Sequence, residues 1–322
     1  MREVTLPDVP YDSTAVRPNW EDLPAAVRAA IGRRLGAPVA AATSAGGGFT
    51  RAFAAVLTTD SGERAFVKAA PGRDPTADWY AREHAVTGAL PAGVRAARPR
   101  WTLAEAGYFV LCLDAVDGRV PRLPWSPTDL DAALTAWSAA ASALATPSPE
   151  LLATGLPALP AIIRDQLSWW SEVAAGREPM PADVPDWLPD RLAELADLER
   201  TLPALAGGGG MVHGDLRIDN VLIDRHGRAW LCDWTWPCLG GPWFDTVTLL
   251  VSAYASGLDA DRLLEPWSAP ARGVDGALAA MSGYWLAQAS GPPSSASPHS
   301  GQHHRFSGTQ ALAWLADRRG WT

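Results

Sequence analysis

Apolar positions along the chain recur in two rhythms. Near the start, Leu23, Val27, Ile31 and Leu35 fall four apart, which predicts an amphipathic helix over 18–35 with Asn19 as a candidate cap. Strand-length runs follow at 39–42 and 52–58, on either side of Ser44-Ala45-Gly46-Gly47-Gly48-Phe49-Thr50. A hairpin turn at Asp60-Ser61-Gly62-Glu63 leads to a strand over 64–70, then a helix over 77–90. Residues 100–105 and 108–113 read as two strands about Ala106-Gly107. Beyond residue 116 the rhythm is helical. Ser126-Pro127-Thr128-Asp129 is a start signal for a helix to 145, with Leu130, Leu134, Trp137 and Leu144 on one face. Further helices are predicted over 161–175, 190–205, 246–256, 259–264, 273–288 and 308–319. Pro-rich stretches at 147–160 and up to Pro189 read as connections, as does the tetraglycine 207–210. Residues 290–304 are low in complexity and read as a mobile loop.

One stretch breaks the helical rhythm. In 211–245 the pattern is strand, polar loop, strand, turn, strand. The loop His213-Gly214-Asp215-Leu216-Arg217-Ile218-Asp219-Asn220 lies between two apolar runs, and Asp233 ends the last of them. A hairpin of that shape gathers Asp215, Asn220 and Asp233 at one end of adjacent strands. Hard oxygen ligands there suit a divalent cation, with one carboxylate left over as a base. The bland alternative is a hairpin with solvated turn acids, and three such groups at this spacing after His-Gly argue against it.

Composition narrows the class. A chain of 322 residues, 48% hydrophobic, can bury a sizeable core in one large or two ordinary domains. A net charge of -8 argues against nucleic acid as a partner and suits a cationic substrate. Cys112, Cys232 and Cys238 lack metal-ligand spacing and fit a reduced, cytoplasmic setting. The first residues lack the apolar core of a signal peptide, and the apolar run at 247–255 is too short to span a bilayer, so no membrane partner is expected. The many Trp read as core or pocket-wall residues; Trp169, Trp170, Trp234, Trp236 and Trp243 are candidates to stack on a sugar or a base. His299, His303 and His304 lie in a Ser/Pro/Gly stretch without carboxylates, which makes a poor metal site.

The loop fits the kinase catalytic pattern H-x-D-L-x-x-x-N, and Asp233 stands where a kinase has its metal-binding Asp. In this it resembles the aminoglycoside phosphotransferase family, small-molecule kinases that share the protein-kinase fold. Gly214 in place of the Arg of H-R-D, Asp233-Trp234-Thr235 in place of D-F-G, and no A-P-E all point away from a protein kinase.

The resemblance implies an α+β, bilobal, protein-kinase-like fold: an N-lobe of antiparallel sheet with a helix over 1–115, and a larger, mostly helical C-lobe over 116–322. It implies ATP and Mg2+ as cofactors and a small-molecule hydroxyl as acceptor, on an aminoglycoside or other antibiotic, an amino sugar or a choline-like alcohol. Asp215 would be the base, Arg217 would face the γ-phosphate, and Asn220 and Asp233 would hold the metal. Gly46, Gly47 and Gly48 would approach phosphate; Lys68 would bond the α/β-phosphates, with Glu83 as its partner and Asp78 as the competitor. Backbone groups near Leu113 to Ala115 would meet the adenine edge, Asp245 would brace the catalytic loop, and His213 would support it. Asp165, Glu172, Asp259 and Asp261 are candidates to receive an ammonium group. A pseudokinase and an unrelated transferase stay open beside this reading, as do a monomer and a homodimer.

Overall fold

A computed structural model of the chain describes residues 3–291 and 297–321. Residues 292–296, part of the expected 290–304 loop, lie outside the described residues, as do the first two and the last. The N-terminal part runs α1 (Ala25–Leu35), β1 (Val39–Ser44), β2 (Phe53–Thr59), β3 (Arg64–Pro71), α2 (Pro75–Ala89), β4 (Pro99–Glu105) and β5 (Tyr108–Asp114). The five strands form one antiparallel sheet in the order β1-β2-β3-β5-β4. Alternation along β3 decides which element covers each face. Ala65, Val67 and Ala69 pack with Leu23, Val27 and Ile31, while Phe66 and Ala70 pack with Ala77 and Tyr80 of α2. Lys68, two residues from each of the latter, therefore emerges on the α2 face, opposite Ala54 and Leu111.

The first helix starts later than its periodicity suggests. Pro24 precedes its first turn, and Trp20–Asp22 form a separate 3-10 turn. Asn19 serves that turn instead, its backbone N–H donating to Asp22 Oδ2 at 2.7 Å.

The rest is mostly helical: β6 (Gly118–Arg119), α3 (Pro127–Ala143), α4 (Pro149–Ala153), α5 (Leu159–Gln166), α6 (Trp169–Ala174), α7 (Leu188–Leu205), β7 (Met211–Val212), β8 (Val221–Asp224), β9 (Ala229–Leu231), β10 (Cys238–Leu239), α8 (Trp243–Ala255), α9 (Ala260–Leu264), α10 (Ala271–Ser290) and α11 (Ser300–Arg319). Three expectations change here. The connection 147–160 contains α4, whose cap Ser148 Oγ accepts from the Leu151 N–H at 3.2 Å. The single helix at 161–175 is two, because the buried Glu199 carboxylate takes the Trp170 and Ser171 N–H groups at 2.9 and 2.7 Å and starts a new helix there. Residues 300–304 are not loop: α11 begins at Ser300, and His303, buried there, packs on Tyr11 with ring centroids 4.4 Å apart.

Trp137, Trp170, Trp234 and Trp314 are fully buried in the helical core. Each indole N–H is satisfied, by Thr246 Oγ1, Ala279 O, Leu231 O and Asp261 Oδ2 respectively. Trp243 is buried as well, so of the indoles proposed for stacking only Trp236 stands well exposed. No helix among the described residues is long and apolar enough to cross a membrane.

Candidate active site

The stretch 211–245 folds as two small sheets, not one hairpin. β7 pairs with β10, while β8 pairs with β9 and β6. Between β7 and β8 the loop must turn sharply, and Gly214 makes this possible. Its φ is +79°, and a Cβ there would stand 2.0 Å from the Trp236 carbonyl oxygen. Asp245, at the start of α8, fixes the turn. Its carboxylate accepts the His213 N–H at 2.6 Å and the Gly214 N–H at 3.1 Å, and is buried. His213 Nε2 donates to Cys232 O at 2.8 Å, and burial pushes its pKa down to about 4, so it is a neutral strut between loop and strand.

Asp215 projects from this braced loop. Asn220 Nδ2 donates to its carbonyl at 2.8 Å and to its Oδ2 at 3.2 Å. Arg217 Nη1 reaches its Oδ1 at 2.9 Å, and the same guanidinium grips Asp219 through Nε and Nη2 at 3.1 and 3.0 Å. Arg217 also lies over the Phe49 ring, 5.6 Å from its centroid. Burial pushes the Asp215 carboxyl up to about 7; Arg217 opposes the rise and Asp219 adds to it. A carboxylate in that range is matched to proton transfer near neutral pH.

Across the cleft, Lys68 Nζ donates to Glu83 Oε2 at 2.6 Å and stands 3.7 Å from Asp233 Oδ1. Desolvation disfavours its charge, but Asp233 and Glu83 outweigh this and hold the ammonium charged. Tyr80, one helical turn before Glu83, shares the same face of α2, with its ring 5.3 Å from Nζ. The competing acid Asp78 is on the exposed face. Asp233 has φ +62°, uncommon for a residue with a side chain. Burial would raise its pKa, yet Lys68 and the Thr235 hydroxyl, 2.7 Å from Oδ1, hold it below the ordinary value.

The donor set suits Mg2+ and no softer ion. Among the described residues no cluster of three His, Cys, Asp or Glu stands ready to enclose a metal. Mg2+ needs none, since it is commonly held by one or two protein oxygens together with phosphate and water. Asn220 turns its Nδ2 to Asp215, leaving Oδ1 as the end available to a cation, and Asp233 supplies a carboxylate.

Apart from the buried braces His213 and Asp245, these groups open onto one cleft of about 1080 Å³. Gly46, Gly47, Gly48, Lys68, Glu83, Leu113, Asp215, Arg217, Asn220 and Asp233 line it; Ala115 does not, the wall there being Asp114 and Val116. The acids proposed to meet an ammonium group lie elsewhere: Asp165 is exposed on α5, Glu172 pairs with Arg177, Asp259 caps α9, and Asp261 pairs with Arg318. Beyond the site groups, the carboxylates on the cleft wall are Asp12, Asp22, Asp74 and Asp114, of which Asp12 pairs with Arg122 and Asp114 with Arg100. Periodicity missed Arg17, Trp79 and Tyr80 of this wall, although Tyr80 was findable from its spacing to Glu83.

Comparisons with known proteins agree with this geometry. A family model described as "Phosphotransferase enzyme family" matches residues 41–280. No curated protein matches the chain in sequence. Among solved structures, a thermostable mutant of aminoglycoside phosphotransferase APH(4)-Ia, in ternary complex with AMP-PNP and hygromycin B, is similar. It has a TM-score of 0.60 at 14% identity, covering 92% of this chain and 99% of that one. The GDP complex of an aminoglycoside 2'-phosphotransferase-IIIa mutant gives 0.55 at 16% identity over 88% and 92%. A putative fructosamine-3-kinase from Haemophilus somnus gives 0.55 at 12% identity over 89% and 97%. At such identities the likeness shows the fold: α+β, bilobal and kinase-like.

Proposed function

The chain belongs to the phosphotransferase enzyme family, as a small-molecule kinase, and on that premise we propose that it moves the γ-phosphoryl group of ATP to a hydroxyl of an aminoglycoside or another antibiotic. The observation that carries this reading is the convergence of Asp215, Asn220 and Asp233 with the Lys68–Glu83 pair on one cleft.

Asp215 takes the proton of the acceptor hydroxyl while the new O–P bond forms and the bond from the γ-phosphorus to the ADP oxygen breaks. Lys68, fixed by Glu83, faces the α- and β-phosphates. Asn220 and Asp233 hold Mg2+, which when bound neutralises charge on the phosphate oxygens. Arg217 keeps Asp215 oriented and places a positive charge beside the transferring group. The glycine loop covers the phosphates, and Leu113 with the chain to Ala115 meets the base. In this reading 1–115 and 116–322 act as the two lobes, and the enzyme works in the cytoplasm, where ATP is available. A pseudokinase is disfavoured by the presence of all four of Lys68, Asp215, Asn220 and Asp233.

Two similar structures support a bound nucleotide, one in complex with AMP-PNP and hygromycin B and another with GDP. A cationic acceptor fits the carboxylates on the cleft wall, Asp22 and Asp74 among them. The likeness to a putative fructosamine-3-kinase keeps an amino-sugar metabolite as the second reading. ADP release against a panel of aminoglycosides, amino sugars and choline-like alcohols separates the two, with the phosphorylated hydroxyl located by NMR. No ADP release with any of them, from protein that binds Mg–ATP, sinks the kinase reading.

A further inference from the structure

The N-terminal segment before α1 takes part in the site. Its residues grip the glycine loop by the carbonyls: the Ala15 N–H donates to Gly46 O at 2.9 Å and Thr14 Oγ1 to Gly48 O at 3.3 Å. Arg17 reaches furthest in, with Nη2 3.0 Å from Gly47 O and Nη1 3.0 Å from Ala52 O. Its guanidinium lines the cleft beside Tyr80 and Asp233, the residues that flank Lys68. Its Nε is buried without a hydrogen-bond partner, and Arg17 forms no ion pair among the described residues.

We propose that Arg17 contacts the β- and γ-phosphates of the bound nucleotide as a second cation beside Lys68. The proposal rests on the kinase reading above, but Arg17 lies outside the residues 41–280 that match the family. Three observations carry it. Lys68 already pairs with two carboxylates, whereas Arg17 donates to two backbone carbonyls and has Tyr80 and Asp233 beside it without an ion pair, so an arriving anion finds the less matched charge on Arg17. Burial correspondingly disfavours the charge of Arg17 in the free protein. The carbonyl and the N–H of a planar trans peptide point in opposite directions, so with Gly47 O turned to Arg17 the Gly48 N–H points away from it. At that point the positive potential comes from the side chain, whose planar fork suits phosphate oxygens. Gly48 makes room for it: a Cβ there would lie 2.8 Å from Arg17 Nη2.

The test is calorimetry on the full chain with Mg–ATP, Mg–GTP, adenosine and guanosine, using wild type, Arg17→Gln, Arg17→Lys and Lys68→Met. A lost charged hydrogen bond predicts that Arg17→Gln weakens the preferred Mg–triphosphate roughly 10- to 100-fold, leaving the nucleoside unchanged, while Arg17→Lys restores part of the loss. Equal weakening of triphosphate and nucleoside would make Arg17 a brace for the glycine loop and overturn the proposal. So would an Arg17→Gln variant that binds triphosphate like wild type while Lys68→Met does not, an outcome that leaves the kinase reading standing. Wild type binding no Mg–nucleotide removes that reading and this proposal together. Should Arg17→Gln fail to fold, the judgement passes to Arg17→Lys, which must keep its preference for triphosphate over nucleoside.

Discussion

The two walls of the cleft are assembled at different ranges along the chain. On one wall the working groups come from a single stretch, and its brace, from Asp245 to the His213 N–H, spans 32 positions. The hydrogen bonds of its loop stay within that stretch, from the short link between Asn220 and the Asp215 carbonyl to the longer one between Asp245 and the Gly214 N–H. The opposite wall is collected from separate elements: Lys68 from β3, Glu83 from α2, Arg17 from the N-terminal segment. Its geometry depends on where α2 docks. Arg82, next to Glu83, ties α2 to the helical part by donating to Thr235 O at 3.0 Å and to Gly155 O at 3.3 Å. The first wall is set once its loop closes on Asp245; the second is set only when β3, α2 and the N-terminal segment have packed together. Substitutions in the loop should therefore remove chemistry, and those on the sheet side should mainly disturb alignment.

The largest effect is expected from Asp215→Ala and Asp233→Ala. Each should lower turnover roughly 10²-fold or more, with circular dichroism and thermal melting close to wild type. An Asp215→Ala enzyme with near-normal turnover would remove the base and, with it, the contrast between the walls. The pH profile probes the same carboxylate. With its pKa raised to about 7, Asp215 accepts a proton above that pH and is already protonated below it. The second-order rate constant of the free enzyme should accordingly fall as pH drops below 7, about tenfold per unit; a flat profile down to pH 5 would contradict the assignment.

Asp245→Ala should combine both kinds of loss. It leaves the buried His213 N–H and the part-buried Gly214 N–H without their acceptor, costing about 1–3 kcal/mol of stability by denaturant titration, and it loosens Asp215. Glu83→Gln should reduce turnover about tenfold by releasing Lys68, and should do little more in a Lys68→Met background, since paired residues are not additive. Full additivity would mean that the pair does not act as a unit. Smallest, Arg82→Ala should slow turnover severalfold with nucleotide affinity almost unchanged, because it shifts α2 while leaving every ligating group in place.

The legibility of the chain follows the same division. The elements of the sheet were readable because strand alternation and turn residues are local signals: β4 and β5 flank Ala106-Gly107 as their composition requires, and both turn residues have positive φ. Boundaries were lost where a distant group intervened. Glu199 splits the helix at 161–175 from 28 residues away, and the start of α11 lies within a stretch whose Ser/Pro/Gly composition reads as loop. Candidate acids chosen by charge alone, such as Glu172 and Asp261, found local arginine partners instead of the cleft.

By itself, then, the sequence determined the chemical groups this protein has to work with: which oxygens and which ammonium it carries, and the short spacing of those in the loop 213–220. Those properties depend on residue type and short spacing, which a chain expresses before it folds. Only the tertiary structure decided that Glu83 and not Asp78 meets Lys68, that Asp12 and Asp22 line the cleft, and that Arg17 enters it. Each of these depends on which face of a helix or which end of a segment is buried against a remote partner, and packing fixes that only when the whole core has formed.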